Sequence, residues 1–174
     1  MKYPELGSFL YYGTTDKFTD IDLSLAKPFK DFGMGFYTAT SKQQAEKFAK
    51  LLMKRNKAKT GYIMVYEYTP DQTNLITLYK QPSEDWLDYV VGNRRYPNSS
   101  DASSSDIIIG AVADDDVGVV VTNYLSGTYG EVGTARAKQI AIEFLLTTQY
   151  HNQVAFKSKK ACDCLTLQEV QQIV

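Results

Sequence analysis

The sequence predicts an α+β fold with mostly antiparallel strand pairing, and three observations carry that expectation. Strand-like runs crowd the early and late parts of the chain, helical patterns are inserted between them unevenly, and the strict βαβ alternation of a doubly wound sheet is absent. The chain has 174 residues. That length suits one domain, 1–174, with a sizeable core. Hydrophobic residues make up 44% and charged residues 22%, a globular balance that argues against disorder.

Taken in order, residues 8–13 form an apolar, aromatic strand closed by Gly13-Thr14-Thr15-Asp16. An irregular stretch follows through Pro28, then the double-glycine turn of 30–35 and a short strand at 36–40. Ser41 is placed to cap a helix, and Ala45, Phe48, Ala49 and Leu52 recur at the spacing of one buried face. Lys54, Arg55, Lys57 and Lys59 read as the solvated, dipole-favoured end of that helix. Residues 62–68 are a strong strand, with 75–79 expected as its partner. Pro82-Ser83-Glu84-Asp85 opens a second helix carrying Trp86, Leu87, Tyr89 and Val90 as apolar contacts.

Residues 98–105 are polar and serine-rich, a mobile loop rather than a domain linker. The continuous apolar run of 106–112 reads as a buried strand. Residues 117–125 fit either strand or helix. A clear helix spans 134–147, with Ile140, Ile142, Phe144 and Leu145 in its apolar set. Residues 152–156 form a late strand, and 165–174 are either a strand or a short closing helix.

Several function classes are disfavoured. A formal net charge of −1 supplies no general basic field for nucleic acid. Cys162 and Cys164 stand one residue apart, rarely a good disulfide geometry, and a single histidine leaves a zinc site poorly supplied. They read as free thiols in a reducing compartment. The N-terminus has no apolar signal core and no run reaches bilayer length, so a soluble cytoplasmic protein with no membrane partner is expected. There is no phosphate loop, and Gly33-x-Gly35 lacks the third glycine and ribose acid of a Rossmann site. His151 has no nucleophile elbow beside it and reads as a surface or packing residue.

Three segments carry the chemical signal. Leu10-Tyr11-Tyr12-Gly13-Thr14 ends a strand on a glycine, where a flat ligand can approach the backbone. Phe32-Gly33-Met34-Gly35-Phe36-Tyr37 delivers an aromatic from a tight turn, and Asn152-Gln153-Val154-Ala155-Phe156 presents a side-chain amide from a strand. Taken singly, the first is an ordinary strand end and the second a glycine hairpin. Their order resembles the ADP-ribosyltransferase superfamily, in which three successive motifs build one NAD site. It is most similar to small uncharacterised bacterial ADP-ribosyltransferase-like proteins, encoded beside short partners as apparent toxin–antitoxin pairs. That group shows Leu-Tyr-His-Gly-Ser/Thr, then Lys-Asp-Phe-Gly-x-Gly-Phe-Tyr-x-Thr with a following Gln-Ala, then a Trp-Leu-Asp helix, Asn-Arg, an Ala-Asp-Asp run and Asn-Gln-x-x-Phe. The matching positions here are 10–14, 30–40, Gln44-Ala45, Trp86-Leu87-Asp88, Asn93-Arg94, Ala113-Asp114-Asp115 and 152–156.

The resemblance implies split, mostly antiparallel β-sheets flanked by helices, and a mono-ADP-ribosyltransferase that uses NAD as substrate on a macromolecular acceptor, protein or nucleic acid. It also implies a small neutralising partner protein. By the same resemblance Gly13 would hold the nicotinamide carboxamide, Thr14 would lie beside the ribose, Tyr37 would shape the pocket with Phe36 behind it, and Phe48 would supply a stacking face, although as a core residue it reads more simply. Tyr11 and Gly35 complete the cofactor-binding set. Gln153, Tyr12 and Tyr37 form the catalytic set. Two departures stand out: Tyr12 replaces the family histidine, and neutral Gln153 falls where active transferases hold a glutamate. The alternative reading is a decayed module on the same fold that binds NAD, ADP-ribose or a protein. Asp114, Asp115 and Asp116 could grip a guanidinium, a metal or a helix N-terminus, with Asp88 and Arg94 as partners across the fold, or form a solvated turn.

Overall fold

A computed structural model describes residues 3, 6–96, 104–113, 115–148 and 150–174, with the side chain of Asp115 excepted. Within them seven strands and five α-helices follow the order β1 (Phe9–Thr14), β2 (Phe36–Ala39), α1 (Lys42–Asn56), β3 (Gly61–Tyr68), β4 (Ile76–Leu78), α2 (Glu84–Arg95), β5 (Ile107–Ala111), α3 (Asp115–Leu125), α4 (Ala135–Thr147), β6 (Asn152–Phe156), α5 (Lys159–Cys162) and β7 (Leu165–Ile173). Most of the loop expected at 98–105 lies outside the described residues. The α+β expectation holds. The expectation of split sheets is corrected: the strands form one sheet in the order β4-β5-β6-β2-β1-β3-β7. Its middle is nevertheless thin. A single pair, Tyr11 opposite Ala39, joins β1 to β2, whereas β1 and β3 are paired along six positions. All pairings are antiparallel except β4 with β5.

That exception corrects a second expectation. The strand at 76–78 pairs with β5, not with β3, whose edges are taken by β1 and β7. The ambiguous 117–125 segment is helix. Val117, Val120, Val121 and Tyr124 are buried at the 3, 4, 7 spacing, so burial of one face outweighs the strand preference of the valines. The tail is a strand along β3. Capping follows the sequence: Ser41, Ser83, Thr134 and Ser158 each accept a backbone N–H at the start of α1, α2, α4 and α5.

Strand alternation gives the sheet two faces. On the front, α2, α3 and α4 close a core of Phe32, Trp86, Leu87, Val90, Ile108, Val117, Val121, Tyr124, Ala137, Ala141, Leu145 and Ala155. Trp86 is its fully buried anchor. Phe144, expected in the apolar set of α4, is 51% exposed and stacks on Tyr129 at 5.4 Å instead. On the back, Leu10, Phe36, Met64, Tyr66, Ile107, Ile109, Val154 and Phe156 pack with Phe18, Ile21 and Leu23 of the irregular stretch and with Cys162 and Cys164. Both cysteines are free and buried, and burial pushes the Cys162 thiol up to about 11, helped by the charge of Asp163. Among the described residues no helix is long and apolar enough to cross a membrane.

Candidate functional site

The three motif segments become β1, the turn into β2, and β6. Because β2 lies between β6 and β1, they occupy neighbouring positions at the centre of the sheet. Register then decides which side chains meet. Tyr11 faces Ala39, and Ala39 faces Gln153 across β6. Tyr11, Gly13, Tyr37 and Gln153 therefore share the front face, while Tyr12, Thr14 and Phe36 share the back.

At the β1 end, Gly13 is covered by α1. A Cβ there would lie 2.1 Å from the Ala45 carbonyl oxygen and 3.0 Å from the Ala49 nitrogen, so only glycine admits the helix this close. Tyr11 packs beside Ala45 and Ile63. Phe48 corrects its core reading: it sits on the same helix and is 45% exposed, because Ala45 and Ala49 occupy the buried stripe. Thr14 is buried, and its hydroxyl accepts the Asp16 N–H at 3.0 Å to shape the turn after β1.

Tyr12 departs from the expected cleft. Its ring stacks on Phe36 at 4.7 Å and meets Phe18 edge-on at 5.6 Å, an aromatic cluster on the back face. Burial, with the nearby charge of Asp16, raises its phenol pKa. One residue of strand phase puts Tyr12 on the opposite side from Gln153. Phe36 is thus behind the sheet, packed on Tyr12, and Gly35 lies at the foot of β2 beside the Phe156 carbonyl.

Tyr37 and Gln153 do converge, on the turn that precedes β2. The Tyr37 hydroxyl donates to the Gly33 carbonyl at 2.6 Å and accepts the Phe32 N–H at 3.0 Å. Burial pushes this phenol far above its ordinary range. The centre of the turn is Asp31. Arg94 donates to its Oδ1 from Nε at 2.9 Å, and a terminal guanidinium nitrogen lies 2.7 Å from the same oxygen. The Ala113 N–H and the Gln153 amide nitrogen both donate to Oδ2, each at 3.1 Å. Arg94 also donates to the Ala113 carbonyl at 2.9 Å, tying α2 to the end of β5. Asn93 donates to the Asp31 carbonyl at 3.2 Å, and Lys157 to the Phe32 carbonyl at 2.6 Å and the Tyr89 hydroxyl at 3.1 Å. Gly33, at φ +77°, leaves no room for a side chain, since a Cβ would meet Asn93 Oδ1 at 2.8 Å.

Sequence reasoning passed over Asp31, Asn93 and Lys157 as site residues. The signal was present: Asp31 lies inside the second motif and Asn93-Arg94 is itself a motif element. Arg94 is engaged by Asp31 and Ala113, while Asp88 pairs with Lys138. Of the acidic run, Asp114 and the side chain of Asp115 lie outside the described residues. His151 is exposed, and its carbonyl accepts the Val112 N–H. A shallow depression lined by Thr69, Asp71, Lys159, Lys160 and Cys164 includes none of these groups in its lining.

No curated protein and no solved structure matches the chain. A family model does match, over residues 9–167, and that span takes in β1, the Asp31 turn, α2 and β6 together; the chain belongs to the family described as protein of unknown function (DUF3990).

Proposed function

We propose that this chain is an NAD-dependent mono-ADP-ribosyltransferase-like protein of the bacterial toxin type, which cleaves the nicotinamide–ribose bond and passes ADP-ribose to a macromolecular acceptor. The single observation that carries the reading is adjacency. Three motifs spread along the chain from Leu10 to Phe156 become neighbouring strands β1, β2 and β6, with Tyr11, Gly13, Tyr37 and Gln153 on one face. Phe48, 45% exposed, stands on the helix that covers Gly13 and leaves an aromatic side chain open to a ligand. In this reading Gln153 bonds a ribose hydroxyl and Phe48 stacks on nicotinamide, while Gly13, whose face is filled by the Ala45 and Ala49 backbone, serves to seat α1 and not to receive the ligand on that face. A small neutralising partner protein belongs to the same reading.

A second reading, a module that binds NAD, ADP-ribose or a protein without turnover, is favoured by the engagement of Tyr12 in the back-face cluster and of Gln153 with Asp31. Incubation with labelled NAD and a cell extract separates the two. Released nicotinamide and a labelled macromolecule are expected from the transferase, and replacing Gln153 with Ala is expected to lower turnover about a hundredfold, the scale of one lost transition-state contact. Saturable NAD binding without product selects the binding module. Absence of both binding and product removes the NAD reading altogether.

A further inference from the structure

An amide side chain has an ambiguous end-to-end orientation unless its neighbours fix it. Here they do. A carboxylate only accepts hydrogen bonds, so Asp31 Oδ2, 3.1 Å away, takes the NH2 end of Gln153. The carbonyl end then points away from Asp31. It accepts no hydrogen bond among the described residues, and Gln153 is only partly buried, which leaves its side chain open in part to solvent. Asp31 cannot swing aside to release it. Arg94, the Ala113 N–H and the Gln153 amide together occupy both carboxylate oxygens.

We propose that Asp31, held by Arg94, is a positioning residue that locks Gln153 with its carbonyl oxygen outward as a permanent acceptor for a sugar hydroxyl, and that the same carboxylate excludes a glutamate from position 153. The sugar-hydroxyl part rests on the NAD reading above. The lock itself does not. An acceptor oxygen at 153 supplies the hydrogen-bonding half of what a glutamate would offer. The other half, the charge, is kept out because a second carboxylate would face Asp31 at the distance now bridged by an N–H. Arg94 weakens that repulsion without bridging the two carboxylates, since its bonds run to Asp31 Oδ1 and the Ala113 carbonyl and not to Oδ2.

The test is a double-mutant cycle of Asp31→Asn and Gln153→Glu, read by NAD calorimetry and by melting temperature at pH 5 and pH 8. Gln153→Glu alone is expected to melt below the wild type at pH 8, to recover toward it at pH 5 as the added carboxyl takes a proton, and to bind NAD about tenfold more weakly at pH 8, the scale of one misplaced charged contact. In the double variant, the amide introduced at position 31 donates to the carboxylate introduced at position 153 and gives up the bond from the Ala113 N–H, so the overall loss of stability stays while its pH-dependent part disappears and NAD binding rises toward that of the wild type. Additive effects of the two substitutions, or a Gln153→Glu protein as stable at pH 8 as the wild type, would overturn the lock. Should Asp31→Asn alone fail to fold, Gln153→Glu and its pH dependence still decide it. Wild-type protein that binds no NAD removes the sugar-hydroxyl role, while the melting cycle continues to report on the lock by itself.

Discussion

Asp31 and Asp106 are built from similar parts and do different things. Each carboxylate is mostly covered, each faces a cation, and each accepts a backbone N–H and a neutral side chain. Asp106 takes the Ser158 hydroxyl at 2.6 Å, the Leu75 N–H at 3.0 Å and Lys160 at 2.8 Å. Asp31 takes Arg94, the Ala113 N–H and Gln153. The cations differ first. Lys160 is 45% exposed and acts as a point charge at the sheet edge, whereas Arg94 is 24% exposed and reaches two elements with one planar group. The neutral partners differ more. Ser158 turns inward again to cap α5 through the Ala161 N–H, so the neutral partner of that centre is used up within the fold and only Lys160 faces outward. Gln153 uses only its NH2 end on Asp31 and stays partly exposed. The same device fastens a strand edge in one place and aims a side chain in the other.

The largest expected break in this comparison comes from the cations. Removing Arg94 leaves Asp31 covered and facing only dipoles. Arg94→Ala is expected to cost about 3 kcal/mol, toward the lower end for a buried pair because the guanidinium is partly solvated. Urea denaturation measures it. A loss no greater than that of an exposed ion pair would mean that water takes the place of Arg94, and the two centres would then be equivalent.

Next comes the turn that carries Asp31. Gly33→Ala combines a left-handed backbone with a Cβ 2.8 Å from Asn93 Oδ1. About 1–3 kcal/mol is expected from strain and overpacking together. The carbonyl that accepts the Tyr37 hydroxyl belongs to the same residue, so quenching or exchange probes on Tyr37 are expected to change with it. A variant of unchanged stability would show that the turn can move off α2 without consequence.

These centres also mark how much was readable from sequence. Caps and apolar spacing revealed α1 and α2, α4 was read from an apolar set of which Leu145 alone is buried, and apolar runs revealed β1, β3, β5 and β6, because those signals are local. Strand partners were not local: β4 lies beside β5 through a connection that includes α2, a fact of tertiary packing. The valines of α3 hid a helix because their intrinsic preference and their burial pattern disagree. In the site, Tyr37 and Gln153 were named from motifs, yet the carboxylate between them was read as an ordinary turn residue. Tyr12 was misassigned by strand phase alone. Its face depends on Tyr11 lying opposite Ala39, which no single segment encodes.

A smaller effect is expected at the second centre. Ser158→Ala removes one hydrogen bond to Asp106 and one cap at the same time. About 1–2 kcal/mol is the expected loss, most of it from the cap. The loss separates from that of Arg94→Ala by site: amide exchange is expected to rise in β4, β5 and α5 and to stay unchanged around Asp31. Exchange that rises around Asp31 as well would show the two centres to be coupled through β5.

The smallest effect carries a pH signature. Burial works against the charged form of Asp106, but the bonds from Lys160, Ser158 and the Leu75 N–H outweigh it and hold the carboxyl at about 2, below the ordinary aspartate value near 4. A folded-state value below the unfolded one means that the contribution is fully present above pH 4 and fades as pH falls toward 2. Lys160→Ala is expected to remove only about 0.5–1 kcal/mol at pH 6, as for other half-solvated pairs, and less in high salt. The gap between wild type and variant should then narrow on titration to pH 2, because protonated Asp106 gains little from a lysine. A gap that stays constant across that range would assign the effect to the Lys160 bond with the Thr73 carbonyl, leaving Asp106 held by Ser158 and Leu75 without need of a cation.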